Sequence, residues 1–147
     1  MSLPAVAILI SGTGSNMVAL VRAMQAGEVP ARPALVLSDR PDAAGLGKAV
    51  ALGVPTAVVD HRDHRDDREG FDAAVDAALR DADADLVACA GFMRIMTPVL
   101  TDAWAGRMLN IHPSLLPLFP GLDTHARALA AGVCVHGATV HEVTGEL

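Results

Sequence analysis

Aromatic side chains make up only 3% of the 147 residues, so stacked rings cannot dominate the core. Hydrophobic residues reach 52%, and that core must come from Ala, Val, Leu, Ile and Met, the usual content of buried parallel strands covered by helices. No stretch approaches the ~20 apolar residues of a membrane-spanning helix, so no membrane partner is expected. The opening Met1-Ser2-Leu3-Pro4 has no basic segment of the kind that starts a signal peptide. The cytoplasm is therefore the expected compartment. Positive charge is also short. A net charge of −6 argues against nucleic acid as a partner, though a few local groups can still bind a small anion. Cysteine is limited to Cys89 and Cys134, far apart and without a C-x-x-C pattern, and both are expected to be reduced, buried thiols. Repeats and low-complexity linkers are missing too, so residues 1–147 are expected to form a single domain of a size that can bury a core.

What is present alternates between two periodicities. Ala5 to Ile10 is a short continuous apolar run ended by glycine, as in a strand buried on both faces. Met17, Leu20, Val21 and Met24 then recur at helical spacing up to Gly27. Further strands are predicted at Ala34 to Leu37, Thr56 to Val59, Leu86 to Ala90 and Met108 to Ile111. An edge strand is predicted at Ala138 to Val143. Helices are predicted at Ala43 to Leu52, around Phe71, Val75, Ala78 and Leu79, at Pro98 to Ala105, and at His125 to Ala131. The polar run Asp60 to Arg68 reads as a surface loop. This order predicts an α/β fold, a doubly wound, mostly parallel Rossmann-like sheet with helices on both faces. Ligands of such sheets bind beyond the carboxyl ends of the strands. The segments following the first, fourth and fifth strands, Ser11 to Asn16, Gly91 to Met96 and Asn110 to Pro113, should therefore share one rim.

Ser11-Gly12-Thr13-Gly14-Ser15-Asn16 lies between a strand and a helix. Its glycines permit positive φ and close approach, while the helix start offers unpaired N–H groups to an anion. A dinucleotide fingerprint competes with this assignment, since Asp39 ends the second strand where a ribose-binding acid belongs. Met17 occupies the third glycine position of that fingerprint, which favours a monophosphate. A tight turn with a helix cap would give the same local pattern.

Asn110-Ile111-His112 places an amide and an imidazole at i and i+2 of a strand end, on one face. An amide can donate to a developing oxyanion and an imidazole can move a proton near neutral pH, a combination suited to acyl-type transfer. A structural Asn and His at a loop would look the same locally.

Longer motifs narrow the choice. Asn110-Ile111-His112-Pro113-Ser114-Leu115-Leu116-Pro117, followed by Pro120-Gly121-Leu122-Asp123-Thr124-His125, resembles the signature of the folate-dependent formyltransferases. Ile10-Ser11-Gly12-Thr13-Gly14-Ser15-Asn16 and Ala90-Gly91-Phe92-Met93-Arg94-Ile95 extend the resemblance, collinearly, toward the phosphoribosylglycinamide formyltransferase family. The resemblance implies formyl transfer from 10-formyltetrahydrofolate, as co-substrate, to the amine of glycinamide ribonucleotide, a step of purine biosynthesis. It implies Asn110 and His112 as the catalytic pair. Gly14, Ser15 and Asn16 would hold the substrate phosphate. Arg68, Met93, Arg94, Ile95, Met96 and Asn110 would hold the folate. His141 would support His112, Pro117 would carry a cis peptide, and no metal would be required. A monomer or a homodimer is compatible with all of this.

Other histidines read as structural. His61 and His64 belong to a solvated loop, His125 shapes a helix start, and His136 leads into the last strand. Arg94 can pair with a carboxylate or serve the loop backbone or surface. Family members continue past the position of Leu147 with an aspartate that would orient His112, so the C-terminal part of the family domain is expected to be absent from residues 1–147. Leu118 stands where many relatives carry lysine, a change of surface charge. Formyltetrahydrofolate hydrolase and methionyl-tRNA formyltransferase are the related alternatives, each expected to bring an additional domain. A non-catalytic nucleotide-binding module is the alternative of a different class.

Overall fold

The computed structural model describes residues 2–112, 116–118, 120–133, 135 and 137–145. Cys134 and His136, for which a buried thiol and a structural role are expected, lie outside the described residues, as do 113–115 of the proline-rich motif. The chain runs β1 (Ala5–Ile10), α1 (Ser15–Gln25), β2 (Arg32–Ser38), α2 (Ala44–Ala51), β3 (Thr56–Val58), a 3-10 turn (His61–His64), α3 (Arg68–Asp81), β4 (Leu86–Cys89), α4 (Pro98–Thr101), β5 (Met108–His112), α5 (Thr124–Ala131) and β6 (Thr139–Glu142). These strands form one sheet in the order β3-β2-β1-β4-β5-β6, parallel throughout except for antiparallel β6 at the edge. This is the predicted doubly wound α/β architecture.

Every residue of β1 is buried because helices cover the sheet on both sides. Val6, Ile8 and Ile10 pack with Met17, Val21 and Met24 of α1, whereas Ala7 and Leu9 pack with Phe71, Val75 and Leu79 of α3 and with Trp104. The period of two along the strand thus feeds two separate cores. Burying each large aliphatic side chain stabilises the fold by roughly 1.5–3 kcal/mol.

Two expectations change in detail. The run Asp60 to Arg68 is not wholly a loop: Asp60 accepts from the Arg62 N–H at 3.0 Å and caps the 3-10 turn, and Arg68 already belongs to α3. The helix expected over Pro98 to Ala105 ends at Thr101, after a single turn. The peptide bond between Leu116 and Pro117 is cis, as expected. Strand order reverses between β1 and β4, which opens the ligand crevice of such sheets at their carboxyl ends.

Candidate active site

Gly91, two residues beyond β4, has φ +79°, and the chain from there to residue 97 has no regular structure. Three buried polar side chains hold that loop. Ser11, at the end of β1, accepts from the Met93 N–H at 2.9 Å through Oγ. Asp39, beyond β2, places Oδ2 3.1 Å from Arg94 Nε. Asp72, on α3, accepts from the Thr97 N–H at 2.6 Å and from the Thr97 hydroxyl at 2.7 Å. Exposures of 6%, 3% and 1% make these costly positions for polar groups unless each is satisfied. The loop is therefore fixed from three different elements.

Beneath it lies a cavity of about 640 Å³ that brings together Arg94, Ile95, Met96, Asn110, His112 and His141. The i, i+2 spacing does what the strand geometry requires, and both Asn110 and His112 line this one space. Across the sheet edge, Asn110 pairs directly with His141 in the β5–β6 register, while His112 pairs with Thr139. The Asn110 amide nitrogen sits 3.3 Å from His141 Nε2, and His141 Nδ1 is 3.2 Å from the Glu142 carbonyl. These two contacts are compatible when Nδ1 carries the proton and Nε2 accepts. His141 thus contacts Asn110, and both line the cavity together with His112. Cys89 also borders the cavity, but it is 2% exposed and burial pushes its thiol pKa up to about 12. A thiol held protonated in this way is no nucleophile near neutral pH.

A second cavity, of about 500 Å³, is walled by His64, Arg68, Phe71, Met93, Arg94 and Ile95 among others. Arg94 and Ile95 line both spaces, so the loop forms the partition between them. The Arg94 guanidinium lies 5.7 Å from the Phe71 ring centre, with His64 edge-on to that ring at 5.9 Å and Phe92 stacked on it at 6.4 Å. Far from being only a solvated surface, the segment Asp60 to Arg68 is one wall of this space. His61 Nδ1 lies 3.0 Å from the Asp39 carbonyl.

At the glycine loop, Gly14 adopts φ +70° as the N-cap of α1 and makes no side-chain cap hydrogen bond. The first-turn N–H groups of Ser15, Asn16 and Met17 have no hydrogen-bond partner among the described residues. Gly14, Ser15 and Asn16 line neither of the two cavities, and they connect to them through the Ser11–Met93 bond. Among the described residues, no three His, Cys, Asp or Glu side chains gather as metal ligands. No helix among them is long and apolar enough to cross a membrane.

Residues 5–147 match the family model described as formyl transferase. The chain belongs to the formyl transferase family. Among curated members, it is 42% identical over 142 residues to the phosphoribosylglycinamide formyltransferase of Haemophilus influenzae, covering 97% of this chain and 66% of that protein. It is 45% identical over 142 residues to the human trifunctional purine biosynthetic protein adenosine-3, covering 97% of this chain but 14% of that much longer protein. The crystal structure of glycinamide ribonucleotide transformylase 1 from Symbiobacterium toebii superposes with a TM-score of 0.94 at 43% identity, over 99% of this chain and 68% of that one.

Within this formyl transferase fold, three features are not apparent from the sequence motifs. Asp72 lies on the buried face of α3 with Phe71, Val75 and Leu79, and an acid on an apolar stripe is the signal that marks it. Gly45, in the first turn of α2, lies against the glycine loop and its N–H donates to the Gly12 carbonyl at 3.0 Å. A Cβ there would stand 3.1 Å from that oxygen and 3.2 Å from Gly14 Cα. Its signal is a glycine inside a helical pattern. Lys48, on the same helix, donates to the Thr13 carbonyl at 2.9 Å and brings the only lysine of the sequence beside the loop.

Proposed function

We propose that the protein transfers the formyl group of 10-formyltetrahydrofolate to the amine of glycinamide ribonucleotide. The observation that carries this assignment is the placement of the Asn110 amide and the His112 imidazole in one cavity under the loop of Arg94, Ile95 and Met96. Family membership supplies the reaction type, the names of the relatives supply the ribonucleotide by similarity, and the motif resemblance supplies the folate donor.

The amine nitrogen attacks the formyl carbon, the carbonyl becomes an oxyanion, and the bond from that carbon to the folate nitrogen then breaks. A primary amide has two N–H groups. One of those on Asn110 meets His141, and the other is left to donate to the oxyanion. His112 takes a proton from the attacking amine and returns it to the departing folate nitrogen, so the imidazole ends neutral as it began. In this scheme His141 fixes the amide plane of Asn110, and Asn110 does the electrostatic work.

The substrate phosphate is assigned to Gly14, Ser15 and Asn16. Their support is the uncapped first turn of α1, whose N–H groups and helix dipole favour an anion. The folate is assigned to Met93, Arg94, Ile95, Met96 and Asn110, with Arg68 offering a cation to its carboxylates in the adjoining cavity. Two cavities sharing a wall suit an elongated donor with a reacting end and an anionic end. No metal enters the scheme.

The test is direct. The protein is supplied with 10-formyltetrahydrofolate and glycinamide ribonucleotide, and release of tetrahydrofolate is followed with formylated product. Amine-dependent transfer is expected. Deformylation at a rate indifferent to the ribonucleotide would instead show a hydrolase, and failure to bind either compound would overturn the assignment.

A further inference from the structure

We infer that Asp39 is a positioning residue for the formyl donor, acting through Arg94. The inference rests on the assignment of Arg94 to the folate made above. Asp39 is held from behind, because its carbonyl accepts from the His61 N–H at 3.1 Å and lies 3.0 Å from His61 Nδ1. Its side chain is 5% exposed, with Oδ2 3.1 Å from Arg94 Nε. That contact lies outside hydrogen-bond geometry. Arg94 Nε and Asp39 Oδ1 are both buried without a hydrogen-bond partner among the described residues. The pair is therefore held by charge alone.

A buried carboxylate with one charged neighbour and an oxygen without a donor is a poor way to stabilise a fold. It is a good way to hold a guanidinium at one point while leaving its outer nitrogens uncommitted. No hydrogen bond among the described residues uses the terminal nitrogens of Arg94. These nitrogens belong to a side chain that borders both donor cavities and rests against the Phe71 ring. Among the described residues no other cation pairs with Asp39: Arg40 pairs with Asp42, and Arg62 pairs with Asp60. Removing the charge at residue 39 should release Arg94 from its place in the wall between the cavities. Donor binding should then weaken, while the ribonucleotide, assigned to the glycine loop, should bind as before. The position at the end of β2 where a dinucleotide fold would place a ribose-binding acid is thus turned inward to serve a loop.

Asp39→Asn, Arg94→Gln and the double variant are compared by calorimetric binding of tetrahydrofolate, which has no formyl group to react, and by steady-state kinetics. Asp39→Asn is expected to weaken tetrahydrofolate binding and raise KM for the donor by roughly tenfold, the scale of a typical coupling between contacting residues. It should leave kcat and the KM for glycinamide ribonucleotide within about twofold of the original protein, as expected for an effect confined to one substrate. The double variant should be no worse than Arg94→Gln, because both changes remove one interaction. Unchanged donor affinity in Asp39→Asn, additive losses in the double variant, or equal losses toward both substrates would overturn the role. If Asp39→Asn does not fold, Arg94→Lys decides: it keeps the charge but moves it off the Nε contact, and donor affinity equal to the original would overturn the inference. Tetrahydrofolate failing to bind the unaltered protein would sink the donor assignment itself, a result distinct from all of these.

Discussion

Asn110 and His141 face each other across the β5–β6 pair, with the Asn110 amide nitrogen 3.3 Å from His141 Nε2. Asn110→Ala removes the proposed oxyanion donor and is expected to lower kcat by about 100- to 1,000-fold, as loss of such donors does elsewhere. His141→Ala leaves the donor but frees its orientation, and a smaller loss in kcat, about tenfold, is expected. The double variant should fall no further than Asn110→Ala alone. Steady-state kinetics of the three variants check this, and a His141→Ala loss as deep as that of Asn110→Ala would place His141 in the chemistry itself.

His112 shares the cavity and is half-buried at the end of β5. His112→Ala is expected to abolish formyl transfer while leaving the fold intact, since the side chain is outside both hydrophobic cores. Transfer rates and the thermal midpoint, measured together, are the check. Near-normal transfer would refute proton transfer by His112.

Gly45 and Gly47 lie two positions apart in α2 and should respond oppositely to alanine. At Gly45 the added methyl would meet Ile10 Cδ1 at 2.5 Å as well as the glycine-loop backbone, so Gly45→Ala is expected to destabilise the protein by about 1–3 kcal/mol. At Gly47 nothing lies within 4 Å, and Gly47→Ala should stabilise by about 0.5–1 kcal/mol through helix propensity. Urea unfolding of both variants checks the signs. Through the loop it displaces, Gly45→Ala should also raise KM for the ribonucleotide.

Cys89 supplies a pH dependence. Burial raises its thiol pKa to about 12, whereas an unfolded cysteine titrates near ~8.5. A group raised in the folded state contributes stability that is complete below the unfolded value and is lost as pH climbs toward the folded one. Stability should therefore decline between about pH 8.5 and 12, less steeply in Cys89→Ala once its own cavity cost is subtracted. Peptide mapping after iodoacetamide at pH 8 should find Cys89 unmodified in native protein and alkylated in denaturant. Rapid native labelling at Cys89 would contradict its burial.

Much of this architecture follows from the chain alone. The run Ala5 to Ile10 suits a doubly buried strand, the spacing after it suits a helix covering one face, and the i, i+2 placement of Asn110 and His112 puts them on one side of β5. These are local periodicities, set by backbone geometry and by which side chains avoid water. Motif resemblance then carried the assignment of Gly14, Ser15, Asn16 and the loop 93–96.

Tertiary structure decided what local pattern cannot contain. Asp39 and Arg94 are 55 positions apart and meet only because β2 and β4 flank β1 in the sheet, while Asp72 reaches Thr97 only because α3 crosses behind the loop. His141 meets Asn110 through an antiparallel register that the spacing of the two residues does not encode. The sequence by itself determined which side chains are available and which face of each element they occupy. The partner of each buried polar group was decided by the packed sheet, because a charge or amide withdrawn from water must be matched by whatever distant group the fold brings within reach.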